Sequence, residues 1–283
     1  MTKIRNIMKK SLSIIIAAVF VFIASSCNKN SGKDSPADTF FEEPESDVVN
    51  VDIESYVFDS NDKDARVKVH SYIEVPKADN DVLKDIRKSV LEFLGRGGNT
   101  PREVFDSHVK SAEEELALSP EDLTDDEEWN ASLYSEVYDS ISANLVCQYF
   151  IQYSNYGYFY AAGAAHGIYG TGYYIFDLST GKKLTETDVF SDISKVERLL
   201  KTEGLQNYLK EEGISENETD ISKSEIKPNG NFGVTRTHLV YQYAPYEIAC
   251  YATGAPALRV AKESVKPYMK KNTAIYKYWF GEE

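Results

Sequence analysis

The sequence predicts an α+β fold: mixed, mainly antiparallel sheets with a few packed helices, in two modules. Three observations carry this. Stretches of period two and of period 3.6 both occur, in short groups rather than in the regular alternation of a doubly wound sheet. Hydrophobic residues are 42% and aromatics 12% of 283 residues, enough to build a real core for one large or two modest domains. Tyrosine is abundant, at 20 against 3 Met and 2 Trp. It suits half-buried strands, where the ring covers apolar surface while the hydroxyl meets water.

Along the chain, Val49, Val51, Ile53 and Val57 alternate with polar neighbours. Val67, Val69, Ile73 and Val75 do so again after the turn-rich Asp59-Ser60-Asn61-Asp62, which predicts a hairpin. Asp81 to Leu94 takes a helical period, with Val82, Leu83, Ile86, Val90, Phe93 and Leu94 on one face and Gly95 as a stop. Thr100-Pro101-Arg102-Glu103 is a capping box opening a second helix through about Leu118. The acidic run of Glu113, Glu114 and Glu115, then Glu121 to Glu128, is read as a solvated helix end and loop. A calcium site is disfavoured because the EF-hand ligand order with its central glycine is absent. Trp129 to Tyr138 and Asn144 to Tyr156 return to period two, with the turn between them at Asp139 to Asn144. Tyr173 to Leu178 is a further strand, and Ser179 to Lys182 a tight turn. Ser191 or Ser194 caps a helix to about Lys210, and residues 213–229 are loop. His238 to Tyr243 and Ala257 to Val260 are strands, Lys262 to Met269 a short last helix, and 271–283 a tail.

Charge and address constrain function. Lys and Arg number 31 against 45 Asp and Glu, a net −14 that repels a phosphate backbone and argues against nucleic-acid binding. The first 26 residues hold Lys3, Arg5, Lys9, Lys10 and no acid, then a nearly unbroken apolar run from Leu12 to Ala24. That is a basic region followed by a hydrophobic one too short for a comfortable transmembrane helix, which needs about 20 apolar residues, so it reads as an export signal. Ile23-Ala24-Ser25-Ser26-Cys27 resembles the lipobox of bacterial lipoproteins, with Ala24 where a bulkier aliphatic is usual. The resemblance implies cleavage before Cys27 and its acylation, and so a membrane partner reached through a lipid anchor. Asn28 in place of aspartate leaves an outer-membrane location open. Residues 28–48 are polar, carry two prolines and form a tether. Without the leader, 27 basic residues face 45 acidic ones, a net −18. Cys147 and Cys250 remain, either as two buried free thiols or as a bridge permitted by an oxidising envelope.

The run GAAHGIYGTGYYIFDLSTGKKLTETDVF at 163–190 supplies Gly163, Ala164, Ala165, His166; Phe176, Asp177, Leu178; Thr180, Gly181, Lys182; and Asp188, Val189, Phe190. With YQYAPYEIACYATG at 241–254, it resembles the signature of a bacterial envelope family of unknown function, DUF3298. Ala164 replaces a glycine, Gly167 stands where proline often follows the histidine, and Cys250 where proline is frequent. Residues 49–162 are similar in pattern to the module that usually precedes it, DUF4163, so the expected modules are 49–162 and 163–270. The resemblance implies a secreted or membrane-anchored protein. Some family members are fused to peptidoglycan deacetylases, and one branch is the lysozyme-binding ectodomain of an anti-sigma factor. It assigns no catalytic residues.

Chemistry has little to stand on in the sequence. No GxSxG, HExxH, P-loop, CxxC or nucleotide-binding glycine fingerprint occurs, and His70, His108, His166 and His238 are too scattered for local metal ligation. No metal or cofactor is expected. His166 lies among glycines beside a strand. One reading makes it a general base oriented by Asp177 or Glu247. The favoured reading makes it a turn residue bonded to backbone, since no nucleophile is nominated. Tyr246 and Glu247 are expected to brace the Pro245 loop. Tyrosines at 153, 156, 158, 160, 169, 173 and 174 add large, low-entropy contact area able to stack on sugars. The ligand surface is therefore expected near 156–172, with His166, Tyr169, Tyr173, Asp177, Tyr246 and Glu247 as binding residues. The function expected is non-catalytic binding of a cell-wall glycan or a basic protein such as lysozyme. The alternative is a wall-carbohydrate hydrolase or deacetylase using His166.

Overall fold

The computed structural model describes residues 51–60, 66–94, 97–118 and 123–282. The expected leader, Cys27 and tether lie outside them, as do Val49, Asn61, Asp62, Gly95 and the Glu121 end of the acidic run. Mixed α and β elements with mainly antiparallel pairing are what the chain builds.

A five-stranded sheet runs in the order β1 (Ile53–Asp59), β2 (Val67–Pro76), β3 (Ser135–Val146), β4 (Phe150–Tyr160), β5 (Ile168–Asp177). The hairpin β1–β2 forms as expected, in register from Ile53 opposite Pro76 to Asp59 opposite His70. β2 and β3 pair parallel, because helices α1 (Asp81–Phe93), α2 (Pro101–Leu116) and α3 (Glu127–Ser132) lie between them as a crossover. β3–β4 and β4–β5 are antiparallel.

Local chemistry sets the helix starts. Asn80 Oδ1 accepts the Leu83 amide at 2.9 Å, and Leu83, Ile86, Val90 and Leu91 of α1 turn inward. Thr100 Oγ1 accepts the Glu103 amide at 3.2 Å, while Glu103 reaches back past the expected position to the Asn99 amide at 2.8 Å. Both helices cover one face of the sheet. Ile73, Val75, Ile141, Ile151 and Phe176 pack with Leu83, Ile86, Val90 and Val104, and Val67, Val69 and Val137 pack with Phe105 and Ala112.

The opposite face is shared. At its Phe150 and Ile175 end it joins the core of a second unit. This unit holds α4 (Glu186–Val189), α5 (Ile193–Leu199), a π-helical turn Leu200–Gly204, α6 (Leu205–Glu212), the sheet β6 (Phe232–Val234), β7 (His238–Gln242), β8 (Ala257–Ala261), α7 (Lys262–Val265) and α8 (Ala274–Phe280). Two amide side chains join the units. Gln152 Oε1 accepts the Val234 amide at 2.7 Å and its Nε2 donates to Val234 O at 3.2 Å. Asn231 Oδ1 accepts the Tyr173 amide at 2.9 Å, and its Nδ2 donates to Thr171 O at 2.7 Å and Gln242 O at 3.1 Å. The Tyr173 ring lies flat against Gly233, where any Cβ would come within 2.8 Å of it.

Several expectations are corrected. Trp129 to Ser132 is helix rather than strand, because Asp126 accepts the Trp129 amide at 2.9 Å and caps α3. The turn expected at Asp139 to Asn144 is the middle of β3: Asp139 is drawn into the interior by its pair with His108, both side chains being almost fully buried. The reversal falls after Val146, so β4 begins at Phe150. Asp192, rather than Ser191 or Ser194, caps α5, and its carboxylate accepts the Ser194 amide at 3.1 Å. β6 was not expected. The last helix expected at Lys262 to Met269 is α7 followed by a 3₁₀ turn, and the expected tail contains α8, whose Ala274, Ile275, Tyr276 and Trp279 are buried. Cys147 is buried and Cys250 exposed, and both are free thiols. The module joint placed at 162/163 falls between two paired strands of one sheet.

Gly233→Ala should lower the unfolding free energy by about 1–3 kcal/mol through overpacking against Tyr173. The urea midpoint of the variant measures this.

Candidate functional site

The side chains that converge at the surface lie where the β4–β5 hairpin meets the 246–254 loop of the second unit. Tyr156 and Tyr158 project from β4 on the face away from α1 and α2, and Tyr169 from β5 stands directly opposite Tyr158. The hairpin loop then carries exposed His166 and buried Gly167. The Tyr158 ring occupies the space over Gly167, where a Cβ would come within 2.3 Å, so this position requires glycine.

The Gly167 carbonyl accepts two hydrogen bonds, from His166 Nδ1 at 2.9 Å and from the Tyr251 hydroxyl at 2.8 Å. Those bonds fix the imidazole with its proton on Nδ1 and stack it on the Tyr251 ring, centroids 4.0 Å apart and planes 27° apart. Tyr246 lies 5.5 Å from Tyr251 and is 65% exposed. Tyr169 meets Tyr251 edge-on at 6.0 Å, and Tyr156 meets Tyr169 at 6.1 Å. Five rings thus form a continuous ridge.

The loop is held by carboxylates. Asp220 accepts the Cys250 amide at 2.6 Å and the Thr253 hydroxyl. The Cys250 side chain foremost, then the Thr253 hydroxyl and the Cys250 amide, hold its carboxyl down at about 2 by hydrogen bonding. Glu247 takes the Ala244 amide at 2.8 Å and Asn229 Nδ2 at 2.9 Å, closing the Pro245 turn in which Tyr246 adopts φ 70. Burial, followed by neighbouring phenols and for Tyr158 also Glu136, raises the hydroxyls of Tyr156, Tyr158, Tyr169 and Tyr251. These four hydroxyls are therefore uncharged at neutral pH.

Of the residues named from sequence, His166, Tyr169 and Tyr246 come together here. Tyr173 does not: it is packed at the unit junction, and burial raises its hydroxyl to about 12. Asp177 accepts the Ser179 amide at 2.7 Å and closes its own turn. Glu247 is spent on the Pro245 turn, so neither carboxylate orients His166. Tyr251 is the central residue that sequence reasoning did not single out. Its signal was a tyrosine between Pro245 and Pro256 beside Gly254, in the second block of family resemblance. Among the described residues no group of three His, Cys, Asp or Glu could hold a metal ion, and no helix is long and apolar enough to cross a membrane.

Asp220 gives a pH dependence of defined sign. Its folded value lies below the ordinary unfolded aspartate value of about 3.9, so its anchorage is fully present above that pH and is lost as pH falls through about 2. The Cys250 amide resonance should shift over that window, and Asp220→Ala should abolish the transition.

No curated protein shows significant sequence similarity to the chain. The fold is similar to the crystal structure of a DUF3298 family member from Bacteroides fragilis, at TM-score 0.66 and 19% identity, over 82% of this chain and 98% of that one. It is also similar to a DUF3298 family protein from Pseudomonas aeruginosa, at TM-score 0.53 and 13% identity, over 78% and 94%. Residues 187–263, a stretch that includes the Tyr246 and Tyr251 loop, match the family described as a protein of unknown function, DUF3298.

Proposed function

We propose that the protein is a non-catalytic, lipid-anchored envelope protein that binds a cell-wall glycan outside the membrane through the aromatic ridge. The observation that carries this is the surface stack of His166, Tyr251 and Tyr246, continued by Tyr169 and Tyr156. Uncharged aromatic faces flanked by hydroxyls suit the apolar faces and hydroxyl edges of sugar rings. The address rests on the basic leader, its short apolar run and Cys27. A hydrolytic role for His166 has less support, since its ring bonds a backbone carbonyl and both carboxylates named as its partners are engaged elsewhere. The net −18 without the leader favours a second reading, a basic protein partner such as lysozyme.

Calorimetric titration of the leaderless chain with soluble wall glycan fragments tests the reading. Binding is expected, weakened at least tenfold, about 1.4 kcal/mol, by Tyr251→Ala. Binding of lysozyme at low and moderate salt without any glycan binding would replace the glycan by the basic partner. In cells, Cys27→Ser should abolish incorporation of labelled palmitate and release the protein from the membrane fraction.

A further inference from the structure

The ridge does not end at Tyr156. On the sheet face turned away from α1 and α2, one cross-strand row places His70 of β2 opposite Tyr138 of β3, Tyr138 opposite Tyr158 of β4, and Tyr158 opposite Tyr169 of β5. Four rings from four consecutive strands therefore stand in line, and Tyr169 leads on to Tyr251. The His70 and Tyr138 ring centroids are 5.9 Å apart. Three strand spacings make this row about 14 Å long, more than a single sugar ring can cover. The next row places Tyr72, Ser140, Tyr156 and Thr171 opposite one another.

Ser140 lies within this face. Its side chain is only 1% exposed, and its hydroxyl has no hydrogen-bond partner. A buried hydroxyl left unpaired costs free energy that a ligand group can recover. The carboxylate beside it is already engaged: Glu74 accepts the Tyr72 hydroxyl, the Ser55 hydroxyl at 3.4 Å and the Ala143 amide at 2.7 Å. At the edge, Asp59 is paired with His70. The face thus offers rings and hydroxyls, with Glu74 and Asp59 engaged and Glu136 3.9 Å from His70 at its edge, and so complements a polyhydroxylated chain.

We infer that the tyrosine row continues the ridge into one extended site, and that its ligand is a linear glycan on the order of four sugar units long, laid across the strands from Tyr251 towards His70. Ser140 supplies a hydrogen bond to it part-way along. This rests on the glycan reading and adds to it the length and direction of the ligand.

The probe is a series of β-1,4-linked N-acetylglucosamine oligomers, from dimer to hexamer, titrated into the leaderless chain. The hexamer is expected to bind at least tenfold tighter than the dimer. Tyr138→Ala should remove most of that preference. Because Tyr138→Ala also removes packing area, Ser140→Ala is the second variant. It deletes a hydroxyl without a partner, so the urea midpoint should stay or rise while hexamer affinity falls twofold to tenfold. Equal affinities for dimer and hexamer, with Tyr251→Ala still weakening both, would overturn the extended site and leave the ridge standing. Absence of binding by any oligomer would overturn both.

Discussion

The surface site depends on two amides. Gln152 and Asn231 use side-chain donors and acceptors where a sheet would use backbone, and in doing so they fasten the short strand β6 and its neighbouring turn to β4 and β5. Neither bond set is large in net energy, since each exchanges protein partners for water at about 1 kcal/mol. Their weight lies in direction. An amide has one donor end and one acceptor end, so it fixes register where apolar contact alone would allow sliding. With the Tyr173 ring pressed on Gly233, the second unit is set at one height against the sheet. That height determines whether Tyr251 reaches the Gly167 carbonyl.

The ridge is built on economy of polar partners. One carbonyl, that of Gly167, serves both His166 and Tyr251, and one carboxylate, that of Asp220, serves an amide and a hydroxyl at the other end of the loop. Rings held in this way lose little further freedom on binding, which is the main cost of using flexible surface loops for recognition. The helices play no direct part. They seal the far face of the sheet and so leave the near face to carry tyrosines, at alternate positions along the end of β4.

Period and turn chemistry made the elements legible where each obeyed local rules. The hairpin of β1 and β2, both early helices and the strands β7 and β8 are of this kind. Reading failed where tertiary partners overrode local preference. Asp139 and Ser140 look like a turn, yet Asp139 sits in a central strand because His108 meets it from α2. Trp129 alternates like a strand residue, yet Asp126 starts a helix there. The site was half legible: tyrosine density pointed to the β4–β5 region, and His166, Tyr169 and Tyr246 each stand against Tyr251. Tyr251 lies roughly eighty residues further along, and only the Asn231 and Gln152 junction brings it back. Asp177 and Glu247 showed their charge in the sequence but not that their own turns consume it.

The stretch that matches the family, 187–263, does not coincide with the unit that folds. It ends before α8, whose Trp279 donates to the Thr235 carbonyl at 2.8 Å beneath the second sheet, and it begins after β5, on which β6 leans. A fragment trimmed to those limits would lose Phe150, Ile175, Ile275, Tyr276 and Trp279 from the shared core and keep two tyrosines of the ridge without the histidine between the strands. Searches for a partner that use such a fragment as bait are therefore poised to return whatever adheres to an opened core, and to miss any molecule that requires the intact surface.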